Sequence, residues 1–107
     1  MSDYTNIDAY QEWSKETAIY PKESAIEYLT LGLVSEAGEV AGKVKKRIRD
    51  GNIKEEEILA ELGDVYWYLV RLADEMGVKS SDIIHLNKAK LTKRKAAGTI
   101  GGSGDER

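Results

Sequence analysis

Apolar residues recur along this chain at helical spacing. One series runs Ile26, Leu29, Leu33, Ala37, Val40, Val44 and Ile48, and a second runs Ile58, Leu62, Val65, Leu69, Ala73 and Met76. Steps of three and four put each series on one face of an α-helix, as a stripe made to bury against other helices. The alternation that a half-buried strand needs is nowhere sustained, and no repeat of solenoid length is evident. Glycine and proline place the boundaries. The single proline, Pro21, ends a first short helix that starts near Thr5 or Asn6 and reaches Ala18. A long second helix starts near Glu23 or Ser24 and stops at Asp50-Gly51, where glycine suits the left-handed position past a helix end. The third spans about Lys54 to Met76, with Gly77 as its stop, and Ser80 or Ser81 caps a fourth that reaches about Ala97. The expected fold class is all-α, a compact bundle of about four helices formed by residues 1–97. Residues 98–107 hold four glycines and almost nothing apolar, and are expected to be a disordered tail.

Composition narrows the function. A chain of 107 residues buries a limited share of its surface, so further burial by self-association is expected. A net charge of -3 argues against a general nucleic-acid coat. Between His85 and Ala97, however, five basic residues stand with no acidic one, which leaves room for a local anion site. The absence of cysteine removes disulfides, thiol catalysis and thiolate metal sites. No apolar run approaches the ~20 residues of a membrane span. The first six residues lack the basic and apolar segments of a signal peptide. A soluble cytoplasmic protein is expected.

The chemistry lies in two pairs of carboxylates. The second helix carries Glu36-Ala-Gly-Glu39 and the third carries Glu61-Leu-Gly-Asp64. Within each pair the i, i+3 spacing makes the two side chains neighbours on one helix surface. At about 100° per residue, Glu36 lies ~60° from Leu33 on the flank of its stripe, and Tyr68 lies ~20° from Glu61. Packing stripe to stripe brings all four acids toward one seam. One acidic pair alone is usually a solvated face. Two on successive helices, on matching flanks, are harder to explain that way, because crowded carboxylates repel unless a cation neutralises them. Mg²⁺ is such a cation, commonly held by carboxylates together with substrate phosphates. Each pair also encloses a glycine, Gly38 or Gly63, which costs about 1 kcal/mol in a helix; close backbone approach or room for a ligand would explain it.

These segments, Leu33-Val-Ser-Glu36-Ala-Gly-Glu39-Val and Glu61-Leu-Gly-Asp64-Val-Tyr-Trp-Tyr68, resemble the MazG-like nucleotide pyrophosphohydrolases of the all-α NTP-pyrophosphatase superfamily. Their mark is an E-x-x-E pair followed by an E-x-x-D pair on successive helices, here with 21 residues between Glu39 and Glu61. Asn87-Lys-Ala-Lys90-Leu-Thr-Lys-Arg94 is similar to the N-x-x-K-L-x-x-R of the last helix in many members. One departure is Ser35, where many relatives have a second glutamate. The resemblance covers roughly residues 10 to 95 and implies a single-repeat domain.

It further implies an enzyme that cleaves nucleoside triphosphates between the α and β phosphates, giving the monophosphate and pyrophosphate. Glu36, Glu39, Glu61 and Asp64 would hold Mg²⁺, with Mn²⁺ as a substitute, and Glu36 or Glu39 is a candidate general base. Asn87, Lys90 and Arg94 are candidates for the substrate phosphates, Lys90 and Arg94 sharing one helix face at i, i+4. Trp13 and Tyr68, and more weakly Trp67, are candidates for a base and sugar pocket. The second basic run, Lys43 to Arg49, reads as a helix end favouring cations, and His85 as a surface or packing residue. Relatives complete their bundle as dimers, often paired into tetramers, so a homodimer or homotetramer is implied, with no nucleic acid or membrane as partner. An all-α dUTPase or dCTPase, a phosphoribosyl-ATP pyrophosphohydrolase and a non-catalytic helical module are the alternatives. A di-iron bundle is disfavoured, because that chemistry wants histidine within the second motif.

Overall fold

The computed structural model describes residues 6–105, and its element order is four helices: α1 (Ile7–Ser14), α2 (Ala25–Asp50), α3 (Glu55–Glu75) and α4 (Ser80–Ala97). Among the described residues there is no strand, and the expected all-α bundle is what forms. The expected start of α1 at Thr5 lies outside the described residues; Asn6 caps the helix, its side chain accepting from the Ala9 N–H at 2.7 Å. Toward Pro21 the chain tightens into 3₁₀ turns at Lys15–Thr17 and Lys22–Ser24 before α2 begins. Gly51 closes α2 with φ 74°, as the sequence requires, and Gly77 (φ 77°) and Gly98 (φ 71°) lie just past the ends of α3 and α4.

The start of α4 departs from expectation. Neither Ser80 nor Ser81 caps it; they are its first two residues, and their N–H groups are taken by α1. Gln11 Oε1 accepts from the Ser80 N–H at 2.8 Å, and Asp8 Oδ1 accepts from the Ser81 N–H at 2.9 Å. Both serine hydroxyls donate to the same two side chains. Gln11 is buried and donates in turn to Asp74 Oδ1 (3.1 Å) and to the Val78 carbonyl (2.9 Å). One glutamine thus ties α1 to the α3–α4 turn.

The long α2 and α3 form a hairpin that carries most of the packing. Its core lies at the α2 start, where Tyr20, Ala25 and the fully buried Leu29 meet Trp67, Tyr68 and Leu72. Arg71 is buried beside it, only 2% exposed. Its guanidinium donates to Ser14 Oγ (3.2 Å) and the Tyr20 hydroxyl (3.1 Å), and pairs with Asp74 (3.2 Å) and Glu75 (3.3 Å). A buried cation so fully partnered is tolerated, and losing one partner would be costly. The stripes are covered only in part: Leu29, Ile58 and Ala73 are buried, while Ile26, Leu62, Leu69 and Met76 stay exposed. The radius of gyration, 16.6 Å, exceeds the roughly 13 Å of a compact chain of this length.

Candidate functional site

The α2–α3 seam brings three of the four motif acids together. One carboxylate oxygen each from Glu36, Glu61 and Asp64 lies within 4.8 Å of the other two. Glu36 and Glu61 are half-buried and Asp64 is exposed. Glu39 does not join them: it is exposed, one turn further along α2. Its charge is the weakest of the influences that reach Glu36.

Glu36 carries the electrostatic signature of the site. Burial raises its pKa above the ordinary carboxylate value, and the charges of Asp64 and Glu61 add to the shift. A hydrogen bond to Glu61, available only to the protonated form, works in the same direction. Such a trio suits a hard divalent cation. Oxygens that share one Mg²⁺ at 2.0–2.1 Å lie at most about 4.2 Å apart, so small side-chain rotations close the trio around an ion.

Tyr68 borders the acids. Its pKa is raised by burial first, then by Tyr28, Glu36 and Asp64, and its ring meets that of Trp67 edge-on at 5.0 Å. Gly32 makes room for it: an added Cβ there would clash with the Tyr68 ring, 2.1 Å from its Cε1. The glycines expected to permit close approach, Gly38 and Gly63, have nothing within 4 Å of an added Cβ, so close backbone approach does not explain them. The tight glycine is Gly32, four residues before Glu36 on the same face, a spacing the sequence displays. Trp67 is a packing residue, its indole N–H donating to Thr17 Oγ1 at 2.7 Å. Trp13 lies on α1, a helix packed on α3 and α4, and its ring stacks on Tyr10. His85 is exposed.

Asn87 and Lys90 line an open pocket of about 300 Å³ with Ile83 and Leu86. Arg94 is buried and turns toward the residues after α4. Lys90 and Arg94 bond to Gly104 and Asp105 there, and among the described residues no hydrogen bond or ion pair joins them to the acids. Of the other basic run, Lys43 pairs with Glu57 at 3.3 Å and Arg49 with Asp50 at 2.8 Å, as a structural role requires. No helix among the described residues is long and apolar enough to cross a membrane.

The Gene 37 protein of Mycobacterium phage L5 is 45% identical over a 113-residue alignment covering 95% of this chain and 99% of that protein. The uncharacterized protein YvdC of Bacillus subtilis (strain 168) is 32% identical over 98 residues, covering 78% of this chain and 91% of that protein. Neither name states an activity. No solved structure matches the chain significantly. Residues 24–98, which hold both acidic pairs and the basic motif of α4, match the MazG nucleotide pyrophosphohydrolase domain, and the chain belongs to that family.

Proposed function

We propose that this protein is a Mg²⁺-dependent nucleoside triphosphate pyrophosphohydrolase that cleaves (d)NTPs between the α and β phosphates to the monophosphate and pyrophosphate. The observation that carries this reading is the meeting of Glu36, Glu61 and Asp64 at the α2–α3 seam. The three acids hold the cation, Mg²⁺ or Mn²⁺, and Glu39 stands one turn away to complete its shell or that of a second ion. The bound cation supplies positive charge to the phosphate oxygens as the anhydride breaks. Glu36, half-buried beside Glu61 and Asp64, accepts a proton from the attacking water. Tyr68 offers an aromatic wall for the base or sugar beside the acids. Asn87, Lys90 and Arg94 take phosphate oxygens, Arg94 through its planar fork and Lys90 as a point charge.

The working form is a homodimer or homotetramer in the cytoplasm. Apolar side chains left uncovered on the hairpin support this: Leu31 and Val34 are 71% and 66% exposed. A second copy also supplies a route by which a basic α4 meets acids it does not bond within its own chain.

The test is product analysis with a panel of common dNTPs and NTPs and Mg²⁺, comparing wild type with Glu61→Gln and Glu39→Gln. Monophosphate and pyrophosphate in equal amounts, lost in Glu61→Gln, is the expected result. Orthophosphate as the product would place the cleavage at another bond and overturn the mechanism.

A further inference from the structure

We infer that the segment after α4 is a tethered competitor for the anion seat of Lys90 and Arg94, held there by the carboxylate of Asp105; this rests on the phosphate role proposed for those two residues. Lys90 and Arg94 stand one helical turn apart, and both aim at a single oxygen. Asp105 Oδ1 lies 3.1 Å from Arg94 Nη2 and 3.4 Å from Lys90 Nζ. The Gly104 carbonyl accepts a further bond from Arg94 Nη2 at 3.3 Å. To these cations a carboxylate presents the same kind of acceptor oxygen as a phosphate.

The seat is only partly filled. Arg94 is 4% exposed, and a desolvated guanidinium needs its donors taken. Yet among the described residues its buried Nε has no hydrogen-bond partner, and Gly104 and Asp105 engage only Nη2. A tetrahedral anion with several oxygens can take Nε and Nη together, which one carboxylate oxygen here does not. The occupant is weaker than the ligand it imitates.

The tail is also built to leave. After the Gly98 cap it turns through Gly101, Gly102 and Gly104, the last at φ 82°, a left-handed conformation that glycine adopts without strain. The Asp105 side chain is 83% exposed. An ion pair so exposed on one side is weak, so the seated tail is in balance with an open form and lowers apparent anion affinity by the competent fraction.

The experiment titrates inorganic pyrophosphate by calorimetry, without divalent cations, into the full chain as wild type, Asp105→Asn and Asp105→Asn/Lys90→Ala, alongside nucleotide kinetics. Asp105→Asn should tighten pyrophosphate binding about two- to six-fold, the range set by a weak surface pair. It should also lower KM with kcat unchanged, and Lys90→Ala should cancel the gain. Equal affinity in wild type and Asp105→Asn overturns the inference, as does failure of both to bind pyrophosphate. An inactive wild type whose Asp105→Asn form binds tighter removes the hydrolase reading and leaves the tail's role standing. An active wild type with unchanged affinity and KM in the variant does the reverse.

Discussion

The ring of Tyr68 occupies the space a β-carbon on residue 32 would need: an ideal Cβ built on Gly32 would stand 2.1 Å from Tyr68 Cε1. No real pair of carbons tolerates that separation, so the ring sits where it does because residue 32 has no side chain. This contact between α2 and α3 lies one turn from Glu36, on the α2 face that carries it.

Replacing Gly32 by alanine sets two effects against each other. Alanine gains about 1 kcal/mol of helix propensity, but overpacking a filled site costs about 1–3 kcal/mol. The ring is hemmed in by Trp67, so the clash should win. Gly32→Ala should lower stability in denaturant titration, whereas Gly38→Ala and Gly63→Ala, with open space around the new methyl, should raise it by about 0.5–1 kcal/mol. Equal gains at all three positions would mean that Tyr68 is not seated against α2.

Glu36 gives the metal-free protein a pH dependence of definite sign. Its folded pKa lies above the ordinary value of 4.5, owing to burial first and then to Asp64 and Glu61. Between those values the folded state holds a proton that the unfolded chain has released. Stability therefore falls as pH rises from the unfolded value through the folded one. In EDTA, Tm followed across that window should decline less in Glu36→Gln than in wild type; parallel profiles would contradict the crowding.

Mg²⁺ should relieve the same crowding. An ion that binds only the folded state stabilises by about 2.7 kcal/mol at one hundred times its dissociation constant. Thermal unfolding with increasing Mg²⁺ should show a rising Tm, and Asp64→Asn should abolish most of the rise. A Tm indifferent to Mg²⁺ in wild type would count against a cation at this seam.

The helices, the Gly51 and Gly77 stops and the three acids at the seam were legible because each rests on local rules, periodicity or backbone conformation. What stayed hidden depends on partners distant in sequence. Ser80 reads as a cap until α1 is seen to supply Gln11. Arg71 stands between Val70 and Leu72 on α3 with no sign that Ser14 and Tyr20 await it. Glu39 reads like Glu36, and only the packing of α2 on α3 shows that it stands outside the trio.

Gln11 offers a test of that hidden layer. Gln11→Ala would strand the Ser80 N–H and the Val78 carbonyl, and an unsatisfied buried polar group costs about 1–3 kcal/mol. Stability should fall by about that much, with amide exchange accelerating first at the start of α4. Loss of stability with no local change in exchange would mean that Gln11 does not hold this junction.

Self-association can be tested at Leu31. Leu31 and Val34 stand three residues apart on α2, hence on one face, and that helix also carries Glu36. Scattered exposed apolar residues are ordinary, but an exposed apolar pair on one helix face, off the stripe that meets α3, is what a partner helix would bury. Leu31→Glu would place an unpaired charge in such an interface, at a cost of several kcal/mol per ion. In the free chain the same change alters only an exposed side chain, so the fold should survive. Sedimentation velocity should show wild type as a dimer or tetramer and Leu31→Glu as a folded monomer with impaired nucleotide hydrolysis. A wild type that is monomeric and active at micromolar concentration would show that one chain carries the whole site, and the route from α4 to the acids would then have to lie within it.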